Sequence, residues 1–335
     1  MSRHARLLLL LFAIALPYSA AAAGVAARYA ERDDVRQFID EMVERHGFVR
    51  KELRTLFSRA RFQPAIIKAI TPPTEPRAKS WQAYRALFLT PQRIAAGAAF
   101  RERNADALAR ATELYGVPEE IIVAIIGVET VYGRNTGSYR VIDALSTLAF
   151  DYRPRAEFFR SELEQFLLYA RDAGIDTLSL KGSYAGAIGI PQFMPGSYRR
   201  YAVDHDGDGR QDLTGSFADA IGSVANFLKS HGWETSQPVA SPVQVQGASY
   251  RKLADAGIKP TYRCSDFASF GVNAGAEANP DAPCALIELE TPGEASQYLA
   301  GRNNFYVLTR YNRSSMYAAA VLELAQAVKS AYTNK

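Results

Sequence analysis

Apolar residues recur every three or four positions over much of this chain. In RDDVRQFIDEMVERHG (Arg32–Gly47) they fall at Val35, Phe38, Ile39, Met42 and Val43. That spacing predicts an amphipathic helix, with Gly47 as its stop. KELRTLFSRARF and PAIIKAIT repeat the pattern more briefly, and Pro91–Gly116 reads as one long helix with Pro at its start and Gly at its end. TPPTEPRAKSW (Thr71–Trp81) is too rich in proline to be helix interior. Ser216–Trp233 and Ser315–Tyr332 resume helical periodicity. Residues 236–300 differ in texture. PVASPVQVQG, TYRCSDFASFGV and CALIELETPG alternate, or carry β-branched residues between turn signals, so strands are expected there. The pattern predicts a mainly α fold of α+β class. It divides into an N-terminal helical region (24–100), a core (101–235), a small β-rich insert (236–300) and a C-terminal segment (301–335) that returns to the helical body.

The stretch EEIIVAIIGVETVYG (Glu119–Gly133) stands apart. Pro118 suits a first helical turn, and Glu119 and Glu120 suit the positive end of a helix dipole. Ile121, Ile122, Val123, Ile125, Ile126 and Val128 then cover nearly every face, so this helix belongs in the interior. Glu129 shares a side with Ile125 and Ile126 and lies near the C-terminal end, where Gly133 is available as a cap. Burial and the negative end of the dipole both disfavour its carboxylate, so its pKa is expected to rise. A carboxyl still protonated near neutral pH is what general-acid cleavage of a glycosidic bond requires. The alternatives are that Glu129 pairs with a base such as Arg134 or rests in water at a rim.

Composition and charge narrow the setting. Arg3 and Arg6 precede the apolar run Leu7–Leu16 and the small-residue stretch Ser19–Gly24, the plan of a cleavable export leader covering residues 1–23. The run falls short of the roughly 20 apolar residues that a membrane anchor needs. No cysteine stands near the cleavage site to take a lipid, so a soluble periplasmic protein with no membrane anchor is expected. Loss of the leader removes two arginines and no acid, and formal charge falls from +4 to +2, which argues against a nucleic-acid partner. Cys264 and Cys284 are either one disulfide closing a short loop or two buried thiols. Four histidines and two cysteines offer no zinc cluster.

The sequence Tyr115–Phe159 closely resembles the lytic murein transglycosylase B family, lysozyme-like enzymes that cleave peptidoglycan. The resemblance continues through LKGSYAGAIGIPQFMPGSY (Leu180–Tyr198), Tyr201–Trp233 and NNFYVLTRYNRS (Asn303–Ser314), in the family's order. It implies a lysozyme-like catalytic core over 101–235 and identifies Glu129 with the family's catalytic glutamate. It implies one catalytic acid, which protonates the leaving oxygen and then deprotonates the muramic acid C6 hydroxyl. The product is a 1,6-anhydro ring, formed without water. Asp143, Asp151 and Glu157 are candidates for the second carboxylate of an ordinary glycosidase, but their spacing singles out none. Ser183 and Gln192 interrupt a small-residue loop where the family lines its cleft, against the plainer reading of a tight turn. Tyr84, Tyr306 and Tyr311 are aromatic candidates for sugar contact, or packing residues. Arg155 is a candidate for the acidic stem peptide. The family pattern has two consecutive arginines where this chain has Pro154-Arg155, which weakens that inference. The expected partners are glycan strands and their stem peptides, and the expected state is a monomer.

DHDGDGRQD (Asp204–Asp212) is a separate signal. Asp204, Asp206 and Asp208 occupy positions 1, 3 and 5 of an EF-hand-like loop, with Gly209 at the turn and Arg210 able to offer its carbonyl. Position 12 is Gly215 where a Glu is required, and Asp219 replaces it if the loop is longer, as in the family. A structural Ca²⁺ is expected, with a solvated Asp-Gly turn as the alternative and no cofactor required for the chemistry.

Overall fold

The computed structural model describes residues 29–71, 80–273 and 279–333; the expected leader lies outside them. The chain divides into two compact units, one up to Arg59 and one from Ala60 onward. In the first, a 3₁₀ turn (Tyr29–Glu31) precedes α1 (Asp33–His46) and α2 (Arg50–Arg59). Val35, Phe38, Ile39 and Met42 form the buried stripe of α1, and Phe38 meets Phe57 of α2 edge-on at 6.0 Å. Gly47 takes φ 67°, the left-handed conformation that lets its N–H return to Val43 O.

The second unit is helical with one sheet. It runs through α3 (Pro64–Ile70), α4 (Trp81–Ala86), α5 (Pro91–Arg103), α6 (Ala105–Tyr115) and α7 (Glu119–Thr130). A two-residue strand β1 (Tyr139–Arg140) leads to α8 (Val141–Asp151) and α9 (Ala156–Asp172). Its antiparallel partner β2 (Lys181–Gly182) precedes α10 (Pro195–Tyr201) and α11 (Phe217–Ser230). α7 packs against α5, α6 and α11, and Ile121–Gly127 are all buried, as a helix apolar on every side requires.

The long helix expected over Pro91–Gly116 is two. Asn104 leaves helical geometry at φ −119°, ψ 26°, and its side-chain amide donates to Phe100 O at 2.8 Å. A short polar side chain offers the backbone an alternative to the next helical bond, and the chain turns there. α5 runs through residue 100, so the boundary suggested at that residue falls within a helix.

The insert is a five-stranded antiparallel sheet in the order β4-β6-β7-β3-β5. Its elements are β3 (Ala240–Val245), α12 (Arg251–Asp255), β4 (Tyr262–Arg263), β5 (Val272–Asn273), β6 (Pro283–Leu289) and β7 (Gln297–Gly301). TYRCSDFASFGV is not one strand: a 3₁₀ helix over Cys264–Phe270 separates β4 from β5. β7 had no sequence signal, since QYLAG carries no β-branched residue; its pairing with β6 and β3 imposes the extended form. Val243, Leu253, Phe267, Val272 and Leu286 fill a separate small core, and Cys264 is bonded to Cys284 within it. The chain returns through α13 (Asn303–Tyr311) and α14 (Ser315–Thr333), and α14 packs on α5 and α7. No described helix is long and apolar enough to cross a membrane.

Candidate active site

Glu129 occupies the last turn of α7, partly accessible but packed among apolar neighbours. Its Oε1 accepts a hydrogen bond of 2.7 Å from the hydroxyl of Tyr317, a 2% exposed residue of α14. Burial pushes the Glu129 carboxyl up to about 7, against a smaller lowering from the Tyr317 bond. At neutral pH the group is therefore divided between acid and carboxylate, able to give a proton and to take one back. Arg134, considered as its partner, is exposed and makes no hydrogen bond or ion pair with it.

Two further tyrosines complete the surroundings. Tyr311 stacks on Tyr317 at 6.3 Å and 12°, and donates to Pro191 O at 2.6 Å. Burial raises the Tyr311 hydroxyl well above its ordinary range, and the charge of Glu129 adds to this. Tyr84, partly buried and packed on Phe88, feels the same two influences in the same order. Tyr306 is not brought to this cluster. It lies five residues before Tyr311, about 140° around α13, and packs under the Arg310 guanidinium at 5.7 Å.

The helix does not end at Gly133, as the sequence suggested, but at Thr130, and Val131 is its cap. Val131 and Tyr132 both take left-handed conformations, at φ 51° and 60°. That geometry is costly for side chains with a Cβ, and most so for a β-branched one. Tertiary contacts compensate. The Thr130 hydroxyl donates to Ile190 O at 2.8 Å and accepts from Gly133 N at 3.0 Å. The Tyr132 hydroxyl donates to Arg93 O at 3.0 Å, and Arg93 Nη1 donates to Gly127 O, a carbonyl of the last turn, at 3.0 Å. The Tyr132 ring sits where Gly97 and Gly127 leave room; a Cβ on either glycine would come within 2.5–2.6 Å of its hydroxyl oxygen. Tyr132 and Tyr317 escaped the sequence reading. One stood in a turn and the other in an alanine-rich helix, and no local pattern marks either.

Ser183 and Gln192 lie in the loop between β2 and α10. Ser183 Oγ accepts from Ala185 N (3.3 Å) and Ala187 N (3.0 Å), which folds the loop on itself. Gln192, at φ 54°, donates from its side chain to Gly189 O (2.8 Å) and Thr136 O (3.1 Å). Arg155 is exposed at the start of α9, its guanidinium 4.3 Å from the Phe158 ring centre. Of the other carboxylates, Asp143 is a buried clamp: it binds Arg140 through both oxygens and accepts from Arg61 N at 2.9 Å. Asp151 ends α8 and Glu157 is exposed on α9.

In the acidic loop, carboxylate oxygens of Asp204, Asp206 and Asp219 lie within 4.8 Å of one another. Asp208 is outside that group, its Oδ1 accepting from Arg210 N at 2.8 Å. Asp219, 1% exposed in the first turn of α11, accepts from His205 N (2.7 Å) and Asp212 N (2.8 Å), tying both ends of the loop to the helix. Burial raises its carboxyl, and the charge of Asp206 adds to the effect. Three crowded hard oxygen donors fit a Ca²⁺ ion, whose charge would relieve the repulsion between them.

Comparison with known proteins identifies the family and fold. A family described as "Transglycosylase SLT domain" matches residues 30–326. The chain is 44% identical over 309 residues to membrane-bound lytic murein transglycosylase B of Escherichia coli (strain K12), covering 90% of this chain and 84% of that protein. The crystal structure of soluble lytic transglycosylase SltB1 from Pseudomonas aeruginosa matches with a TM-score of 0.84 and 47% identity, over 90% of this chain and 99% of the other. The structure of Escherichia coli lytic transglycosylase Slt35 in complex with calcium matches with a TM-score of 0.80 and 43% identity, over 91% and 94%. The lysozyme-like core, helical with a small sheet, is common to these structures. The chain belongs to the SLT-domain family of lytic transglycosylases, enzymes that act on peptidoglycan.

Proposed function

We propose that this enzyme cleaves the β-1,4 bond between N-acetylmuramic acid and N-acetylglucosamine with Glu129 as both acid and base. The observation that carries this reading is the Glu129 carboxyl, poised at about 7 with a tyrosine hydroxyl as its hydrogen-bond partner. The protonated carboxyl gives its proton to the glycosidic oxygen as the bond from C1 breaks, and N-acetylglucosamine leaves as the alcohol. The acetamido group of the muramic acid steadies the positive charge at C1. The carboxylate then takes the proton of the C6 hydroxyl, O6 bonds to C1, and Glu129 is again protonated. No water is consumed. Tyr311 and Tyr84 offer rings to the sugar faces, Gln192 lines the cleft, Ser183 shapes the loop that carries Gln192, and Arg155 meets the peptide. Mass spectrometry of digested sacculi is expected to show 1,6-anhydromuramyl ends; reducing ends alone would mean that water enters, and the reading fails.

Calcium is proposed as a structural ion held by Asp204, Asp206 and Asp219, with its chemistry confined to neutralising those carboxylates. Added Ca²⁺ is expected to raise the melting temperature of metal-stripped enzyme, and Asp219→Asn to reduce that rise. A melting curve indifferent to Ca²⁺ would leave a solvated turn. Export to the periplasm, where peptidoglycan lies, is proposed on the leader-like sequence pattern of residues 1–23.

A further inference from the structure

Tyr84 reaches the candidate active site on a helix that cannot place itself. α4 has only six residues, and helices shorter than about 12 are marginal without outside support. Gln82, Ala83, Arg85 and Ala86 are exposed, and Trp81, 1% exposed, is the one buried side chain of the helix. Tyr84 follows Trp81 by three residues and so lies on the same side. The start of α4 is fixed by the β6–β7 hairpin of the insert, 209 to 216 residues away in sequence. Trp81 N donates to Glu290 O at 2.7 Å, Gln82 N to the Thr291 hydroxyl at 3.2 Å, and the Trp81 indole Nε1 to Gln297 Oε1 at 3.1 Å. Arg85 holds the other end through an ion pair with Glu323 of α14. Beside this joint a groove of about 1080 Å³ runs between the sheet and α14, with Arg85, Gln244, Gln297 and Gln326 in its walls. Packing is open there, so the hydrogen bonds carry the joint.

The first N–H groups of a helix have no partner within it. Here the hairpin accepts from the first two, and Ser80 Oγ accepts from the third, Ala83 N, at 3.2 Å. A buried indole N–H likewise needs an acceptor, and Gln297 provides it. Burial and then the charge of Glu129 raise the Tyr84 hydroxyl, so the two side chains lie within electrostatic reach of each other. We infer that the β6–β7 hairpin positions Tyr84: Thr291 and Gln297 clamp the start of α4 and thereby hold the Tyr84 ring against the sugar beside Glu129. Thr291 and Gln297 are thus positioning residues for substrate affinity, and the β-rich insert is part of the support of the active site. This inference rests on the reading of Tyr84 as a sugar contact.

The test measures KM and kcat of the full-length enzyme on soluble glycan strands. Thr291→Val/Gln297→Leu removes both side-chain acceptors and keeps their bulk. It is expected to raise KM about fivefold with kcat little changed, because an unclamped ring must be ordered on binding. Thr291→Ser/Gln297→Glu keeps both acceptors and is expected to restore the wild-type KM. Tyr84→Ala is expected to raise KM by itself, and adding Thr291→Val/Gln297→Leu to it to raise KM no further, as residues that act through Tyr84 require. Thr291 is half-buried and Gln297 exposed, so both pairs of substitutions leave the core intact, and a melting curve verifies this. A general loss of stability would act equally with and without the Tyr84 ring. The inference is overturned if Thr291→Val/Gln297→Leu leaves KM at its wild-type value, or if it raises KM equally in the Tyr84→Ala background. It is also overturned if the pair that keeps both acceptors raises KM as much as the pair that removes them. An unchanged KM for Tyr84→Ala alone would instead refute the reading of Tyr84 as a sugar contact, and the inference would fall with it.

Discussion

Glu129→Gln is expected to abolish turnover of peptidoglycan while making the protein more stable at neutral pH. Glutamine cannot donate the proton that the leaving oxygen needs, yet it keeps an oxygen to accept the Tyr317 hydrogen bond. The gain in stability follows from linkage. Below pH 4.5 the folded and unfolded chains both hold the Glu129 proton, and wild type and variant have equal stability. Between 4.5 and about 7 the unfolded chain has lost the proton while the folded protein retains it, so wild-type stability falls as pH rises. Above 7 the difference is complete. It corresponds to about 3 kcal/mol, the free energy of keeping a carboxylate out of water for the sake of catalysis. Denaturant unfolding of both proteins at pH 4 and pH 8 measures it: equal midpoints at pH 4 and a higher one for the variant at pH 8. Wild-type kcat is likewise expected to fall as pH rises through about 7, because the acid form starts the reaction. A variant that turns over sacculi at the wild-type rate would remove Glu129 from the mechanism.

The second large effect is expected at Gly127, one turn into the interior from the end of α7. Helix propensity alone says that Gly127→Ala stabilises, by about 1 kcal/mol. The structure reverses the sign. A Cβ at this position meets the Tyr132 hydroxyl at 2.6 Å and its ring carbons at 2.7–2.8 Å, and Tyr132 is only 6% exposed and equally tight against Gly97. Displacing it strains the left-handed turn and breaks the bond to Arg93 O. Gly127→Ala is expected to destabilise by about 2 kcal/mol and Gly127→Val by about 4 kcal/mol, as overpacking gives way to expulsion of the ring. Both lower kcat, because that turn fixes the backbone next to Glu129. Thermal melts that place Gly127→Ala above wild type would show that Tyr132 moves aside freely, and the turn would lose its positioning role.

The two halves of the site differ in how legible they were. The interior placement of α7 could be read from Ile121 to Val128, because a helix apolar on every face has nowhere else to go. The raised pKa of Glu129 followed from the same residues. The acidic loop was legible through its Asp spacing, yet Asp208 faces its own backbone while Asp219 comes in from α11. The split of Pro91–Gly116 at Asn104 was hidden because one polar residue in a helical pattern is commonplace. The aromatic partners were hidden for a stronger reason. Tyr317 lies 188 residues from Glu129, and distance along the chain erases any local signal of contact.

By itself, then, the sequence determined a mainly helical fold, a small β-rich insert, an internal acid and an acid loop, all set by periodicity and spacing along the chain. Only the tertiary structure decided what surrounds that acid. Helices far apart in sequence bring Tyr317 and Tyr311 to it, and Gly97, Gly127 and Arg93 hold the strained turn beside it. The physical reason is that burial is a property of the packed whole. The charge state of Glu129 depends on which groups exclude water from it, and those groups are neighbours only after folding.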